Sequence, residues 1–176
     1  MKIILGIDPG TRYSGYAIIR SDGRQAALLV HGCLSLGAHR PLPVRVHHFY
    51  QSFTELILQW QVTDIALETP FLGKNAQNFL KLGYLRGIMY LLSQQHTIQL
   101  LEFSPREVKV SITGFGGASK QQVAHMVHQL FPRLDIQQLR EDETDALAIA
   151  LCGVWQRSLQ SRVINNAKNF DRGCIF

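Results

Sequence analysis

Apolar and polar positions change rhythm repeatedly along this chain, and the changes mark out its elements. Met1–Ile7 is a short apolar run with the length and composition of a buried strand. Gly15–Ser21 and Ala26–Leu34 read as two further strands, and the Asp-Gly within Ser21-Asp22-Gly23-Arg24 is a hairpin signal between them. The chain is therefore expected to open with an antiparallel three-strand meander. From Val44 to Trp60 the period lengthens, with Val46, Phe49, Phe53, Leu56, Ile57 and Trp60 at helical spacing. Val62–Leu67 returns as a strand ending on Glu68, Asn75–Gln94 predicts a long helix, and Ile98–Phe103 predicts another strand. Pro105 suits the first position of a short helix. Ser119–Phe131 is a helix with a Ser cap and with Pro132 beyond its end. Thr144–Leu159 is the last predicted helix. Residues 161–176 then read as a tail on a single domain, 1–160.

Three hairpin strands followed by alternating helices and strands imply an α/β fold, a mixed five-stranded sheet flanked by helices. The length, 176 residues, suits one domain, and 46% apolar with 18% charged residues is ordinary globular composition. The net charge of +5 fits an anionic partner such as nucleic acid, and it also fits a merely basic soluble protein. Cys33, Cys152 and Cys174 are odd in number and widely spaced, which predicts reduced thiols rather than a disulfide framework or a zinc ligand set. Ile3–Ile7 is too short for a signal-peptide core, and no apolar run approaches a membrane span. The expectation is a cytoplasmic protein with no membrane association.

Acidic residues carry the candidate chemistry. Asp8 ends the first strand, Glu68 ends the fourth, and Asp142 and Asp145 flank the start of the last helix. A carboxylate directly after a buried strand is costly unless it meets water, a donor or a cation. The i, i+3 spacing of Asp142 and Asp145 puts both on one helical face. Neighbouring strand ends can bring Asp8 and Glu68 together despite their separation in sequence. Clustered carboxylates repel one another, and divalent cations remove that cost, with hard oxygen ligands selecting Mg²⁺ or Mn²⁺ over zinc. Each residue has a plainer reading beside this one. Asp8-Pro9-Gly10 is a common turn, Glu68 can accept bonds from the following loop, and Asp142 or Thr144 can cap a helix that Asp145 favours through the dipole. A cluster of this kind supports phosphodiester hydrolysis by two metal ions.

Four ordered blocks then carry a resemblance. They are Gly6-Ile7-Asp8-Pro9-Gly10-Thr11, Glu68 through Asn75, Gly114 through Val123, and Asp142 through Ala148. In this order and spacing the chain resembles the RuvC family of bacterial Holliday junction resolvases, crossover junction endodeoxyribonucleases of the ribonuclease H-like superfamily. The resemblance runs from Ile4 to about Trp155. It implies a catalytic acidic tetrad at Asp8, Glu68, Asp142 and Asp145 that binds Mg²⁺, two ions per site, with Mn²⁺ able to substitute. It implies an aromatic wedge at Phe71 and basic residues at Lys109 and Lys120 that meet DNA phosphates, Lys120 also serving catalysis. It further implies a homodimer that nicks opposed strands of a four-way junction symmetrically, beside the RuvA–RuvB branch-migration complex. Thr69-Pro70 departs from the family pattern next to Glu68.

The residues themselves agree in kind. Phe71 lies in a Pro- and Gly-bounded loop, where stacking on a base contributes on the order of 1–3 kcal/mol. Lys74 and Lys81 are placed to line a phosphate track, although solvated helix charges are an equal reading. Gly114-Phe115-Gly116-Gly117 leads to Ser119 and Lys120 at a helix N-terminus, a natural phosphate site. Gly83 and Gly87 on the long helix suggest close approach of another backbone, from the core sheet or from a dimer partner. His47, His48, His125 and His128 receive no role. The rival readings are an actin- or sugar-kinase-like ATPase, another ribonuclease H-like nuclease, and a non-catalytic junction-binding protein. The ATPase requires a second similar domain that 176 residues do not supply.

Overall fold

A computed structural model describes residues 1–69, 76–135 and 138–171, with side chains to residue 157 in the last span. Ten elements follow one another: β1 (Lys2–Asp8), β2 (Tyr13–Ser21), β3 (Ala26–Ser35), α1 (Leu42–Trp60), β4 (Asp64–Glu68), α2 (Ala76–Gln95), β5 (Gln99–Phe103), α3 (Pro105–Thr113), α4 (Lys120–Leu130) and α5 (Glu141–Asp171). The strands form one sheet in the order β3-β2-β1-β4-β5. β1, β2 and β3 pair antiparallel as the meander predicts, while β4 joins β1, and β5 joins β4, in parallel. Parallel pairing needs crossover connections, and α1 and α2 supply them.

The sheet separates two apolar layers. Leu5, Ile7, Ile18, Ile65 and Leu67 face α1 and α2, where Phe49, Phe53, Leu85 and Met89 are buried. Ile4, Ala17, Ile19 and Ala66 face the other way, onto Ala146, Leu147 and Ala150 of α5 and the inner sides of α3 and α4. This alternation fixes the site. Asp8 continues the Ile4 and Gly6 side of β1, and Glu68 the Ala66 side of β4, so both aim at the layer that contains α5. Gly6 lets α5 lie directly on the strand, because a Cβ there would stand 2.4 Å from the Ala146 carbonyl oxygen.

Two helix starts are built by capping boxes. Ser104 and Glu107 close the start of α3, and Ser119 and Gln122 that of α4, as the Pro105 and Ser119 signals predict. The last helix departs from its predicted bounds at both ends. It begins at Glu141 rather than Thr144, and its helical backbone continues to Asp171, through residues read from sequence as tail.

Candidate active site

The loop that follows Asp8 is held by groups other than Asp8. Ser14 Oγ receives the Gly10 N–H at 3.2 Å and donates to the Gly10 carbonyl at 3.0 Å. Arg45 donates to the Thr11 carbonyl at 2.7 Å, and Thr11 donates to Asn78 on α2 at 3.3 Å. Among the described residues the Asp8 carboxylate takes no hydrogen bond, so the turn-forming reading of Asp-Pro-Gly loses its mechanism. The carboxylate is left facing the cleft.

On β4, Glu68 is positioned through its backbone. Arg86, buried on α2, donates to the Glu68 carbonyl through Nη1, while its Nη2 donates to Glu102 and reaches Tyr90 at 3.0 Å. Thr69 closes the strand end by donating its N–H to the Phe103 carbonyl at 2.7 Å. Asp8, Pro9, Glu68, Thr69, Leu82, Arg86 and Pro105 line a cleft of about 210 Å³. Beside it, Lys120, Glu141, Thr144 and Asp145 border a second hollow of about 170 Å³. A larger hollow, about 420 Å³, lies against Phe115 and Met126 and includes none of these acids.

Electrostatics join the acids into one site. Burial, then the charges of Asp145, Glu68 and Asp142, push the Asp8 carboxyl up to about 7, against the pull of Lys120. Burial and Asp145 raise Glu68, with Lys120 and Lys109 opposing. Burial raises Asp145, although Lys120 pulls it down while Glu141 and Asp142 push it up. Lys120 donates to Asp145 and to Glu141, each at 3.2 Å. Burial lowers the Lys120 ammonium pKa, and its acidic partners Asp145 and Glu141 more than reverse that, so the net direction is up.

Of the residues singled out in the sequence, the structure thus gathers Asp8, Glu68, Asp142, Asp145 and Lys120, with Lys109 close enough to act on Glu68. Lys81 is half-buried on α2 and belongs to none of these interactions. Phe71 and Lys74 lie outside the described residues, as does Pro70. Among the described residues no three acidic, His or Cys side chains form a closed metal cage. The four acids share a charge field, and one of them is tied to a lysine.

Sequence reasoning missed three positioning residues. Arg86, a cation on a helix that the sequence places at the surface of the sheet, turns inward to the Glu68 carbonyl and is buried. Asp64, fully buried, pairs with Lys2 at 3.5 Å and with Arg157 Nε at 2.5 Å, locking the start of β4 to α5. An acid inside the apolar run Val62–Leu67 was the available signal. Gly15 is the third. A Cβ there would stand 1.8 Å from the Asp142 carbonyl oxygen, so only glycine admits the first turn of α5 against β2.

The strand order, the two crossovers and the acids at the ends of β1, β4 and α5 define a ribonuclease H-like protein with a carboxylate-rich cleft. A family model described as "Crossover junction endodeoxyribonuclease RuvC" matches residues 4–153. A relative of that name from Enterobacter sp. strain 638 is 42% identical over 163 residues, 91% of this chain and 92% of its own length. Another from Chloroherpeton thalassium is 40% identical over 151 residues, 86% and 81% of the two chains. The solved Thermus thermophilus RuvC structure superposes with a TM-score of 0.79 at 25% identity, covering 88% of this chain and 95% of that one. The same protein in complex with Holliday junction substrate gives 0.84 at 24% identity, covering 91% and 97%. The chain belongs to the RuvC family.

Proposed function

We propose that this protein is a crossover junction endodeoxyribonuclease that resolves Holliday junctions by paired symmetric nicks in recombination and repair. The observation that carries the reading is the convergence of Glu68, Asp142 and Asp145 on Asp8, each of the three acting electrostatically on it, in a chain matched by the family over residues 4–153. Each cut breaks a P–O3′ bond. Water adds hydroxide to phosphorus, and the 3′ oxygen leaves with a proton, so one strand end keeps a 5′ phosphate and the other a 3′ hydroxyl.

The donor set fits hard divalent cations: four carboxylates, no thiolate among them, and a field that keeps Asp8 partly protonated without a counter-charge. We assign Mg²⁺, two ions per site, with Mn²⁺ as a substitute. Bound there, the cations neutralise the acids, lower the pKa of a water and offset phosphate charge. Asp8 feels all three other acids and would hold the cations together with them. Lys120 is exposed and holds Asp145 and Glu141, and we assign it to the scissile phosphate. Lys109 lies beside Glu68 and contributes a second phosphate contact. Lys81 and Lys74 extend the track, and Phe71 stacks on bases at the crossover.

Two further assignments complete the reading. The working form is a homodimer, since paired nicks need two sites. Leu80, Gly83, Tyr84, Gly87 and Leu91 make one exposed stripe on α2, and a Cβ at either glycine would meet nothing within 4 Å in this chain. The open space at both glycines supports a dimer partner there rather than the core sheet. The protein acts in the cytoplasm beside the RuvA–RuvB branch-migration complex, and no described helix is long and apolar enough to cross a membrane. The catalytic domain is residues 1–160. Incubation with a synthetic four-way junction, a linear duplex and an RNA–DNA hybrid in Mg²⁺ tests the function. The junction alone is expected to yield two nicked duplexes; preferential cutting of the hybrid would overturn the assignment.

A further inference from the structure

The first turn of α5 carries Asp142 and is tied to β2 and β3 by side chains that belong to no part of the cation site. Arg140 precedes the helix and accepts the Glu143 N–H at 3.1 Å and the Thr144 N–H at 3.3 Å on its carbonyl. Glu143 Oε2 in turn accepts the Arg140 N–H at 3.2 Å, which closes the turn on itself. The other carboxylate oxygen, Oε1, lies 2.9 Å from Nδ1 of His31 on β3, in a largely buried contact. Glu143 therefore caps the helix and fastens it to the sheet.

A second tie lies one strand away. The Arg140 guanidinium sits 3.8 Å above the ring of Tyr13, the first residue of β2, and its Nε is 3.6 Å from Asp142 Oδ2. Tyr13 thus holds an arginine, and the arginine holds the carboxylate of a proposed ligand. Between the two ties, Gly15 touches the Asp142 backbone and pairs in register with Asp8. The strand that abuts Asp142 is the one paired to Asp8, so any slip of the turn changes the separation of those two acids.

We propose that His31–Glu143 and Tyr13–Arg140 form a two-sided brace from the β2–β3 hairpin that sets Asp142 and Asp145 in register with Asp8 for cation binding. The four are positioning residues, acting through the ligands. The proposal rests on the cation site of the proposed function. Groups that support ligating side chains change metal affinity by about 10–100-fold when removed.

Mn²⁺ binding to the full chain without DNA, read by electron paramagnetic resonance of the free ion, tests the brace. The double variant His31→Ala/Tyr13→Ala is expected to bind about tenfold more weakly than the parent. His31→Asn/Tyr13→Phe, which keeps a donor near Nδ1 and a ring under the guanidinium, is expected to restore parental affinity. Parental affinity in the alanine variant, even with a lowered melting temperature, would reduce the brace to a stability element and overturn the proposal. If the double variant does not fold, each single alanine variant carries the same comparison, with parental affinity in both overturning it. A parent that binds no Mn²⁺ would instead refute the cation site itself.

Discussion

Asp8 is a carboxylate that folding disfavours once it is ionised. Its pKa stands at about 7 in the fold against an ordinary 3.8, because burial and the charges of Asp145, Glu68 and Asp142 all favour the protonated form. The folded state therefore holds a proton that the unfolded chain has released between those values. Stability contributed by this group is complete below pH 3.8 and is lost as pH rises through 7. Asp8→Asn removes the charge and keeps the shape. In EDTA at pH 8 the variant is expected to melt a few degrees above the parent, since about 1 kcal/mol moves Tm by roughly 2–4 °C in a chain of this size. The difference should vanish toward pH 4, and saturating Mg²⁺ should raise the parent far more than the variant. Equal melting curves for both proteins at pH 8 would show that the acids do not share a field. At this scale the four acids were legible because each stands where a strand ends or a helix begins. Asp64 and Arg86 were not, because their partners, Arg157 and Glu68, are set by tertiary register rather than by spacing.

The elements show how a local signal misplaces a boundary. Thr144 and Asp142 resemble helix caps, so sequence places the start of α5 at Thr144. The helix starts instead at Glu141, because Glu143 reaches back to the Arg140 N–H and supplies the cap from within the first turn. A glutamate three residues after an arginine is half of a capping box, and the missing Ser or Thr hid it. The meander and both crossover strands were legible from alternation and length alone. What alternation does not give is how closely α5 approaches β2, which is a matter of Gly15. Gly15→Ala would bring a methyl 1.8 Å from the Asp142 carbonyl, where backbone must move. Overpacking of this kind costs about 1–3 kcal/mol, and here the displaced group is the start of α5, which carries Asp142 and Asp145. Denaturant unfolding is expected to report a loss at the upper end of that range, together with loss of cutting. A stable and active Gly15→Ala protein would mean that the turn has room to shift.

For the whole molecule, sheet order follows from the meander plus two helical crossovers, so the mixed five-stranded sheet was within reach of the sequence. The surface used by the proposed homodimer was not, since an exposed stripe does not name its partner. Glycine inside a helix costs roughly 1 kcal/mol relative to alanine, yet Gly83 and Gly87 face open space in the isolated chain. Gly83→Ala/Gly87→Ala is therefore expected to strengthen α2 while dissociating the proposed dimer, seen as a halved mass in sedimentation equilibrium and as single rather than paired nicks. An unchanged dimer would move the subunit interface away from α2. The account stands or falls on one reaction, the cutting of a four-way junction by the acids around Asp8. Parent protein and Asp8→Asn are compared on one labelled junction, with binding measured in Ca²⁺ and cleavage in Mg²⁺. The parent should give two nicked duplexes, and the variant should bind equally well and leave the junction whole. Undiminished cutting by Asp8→Asn would contradict the account.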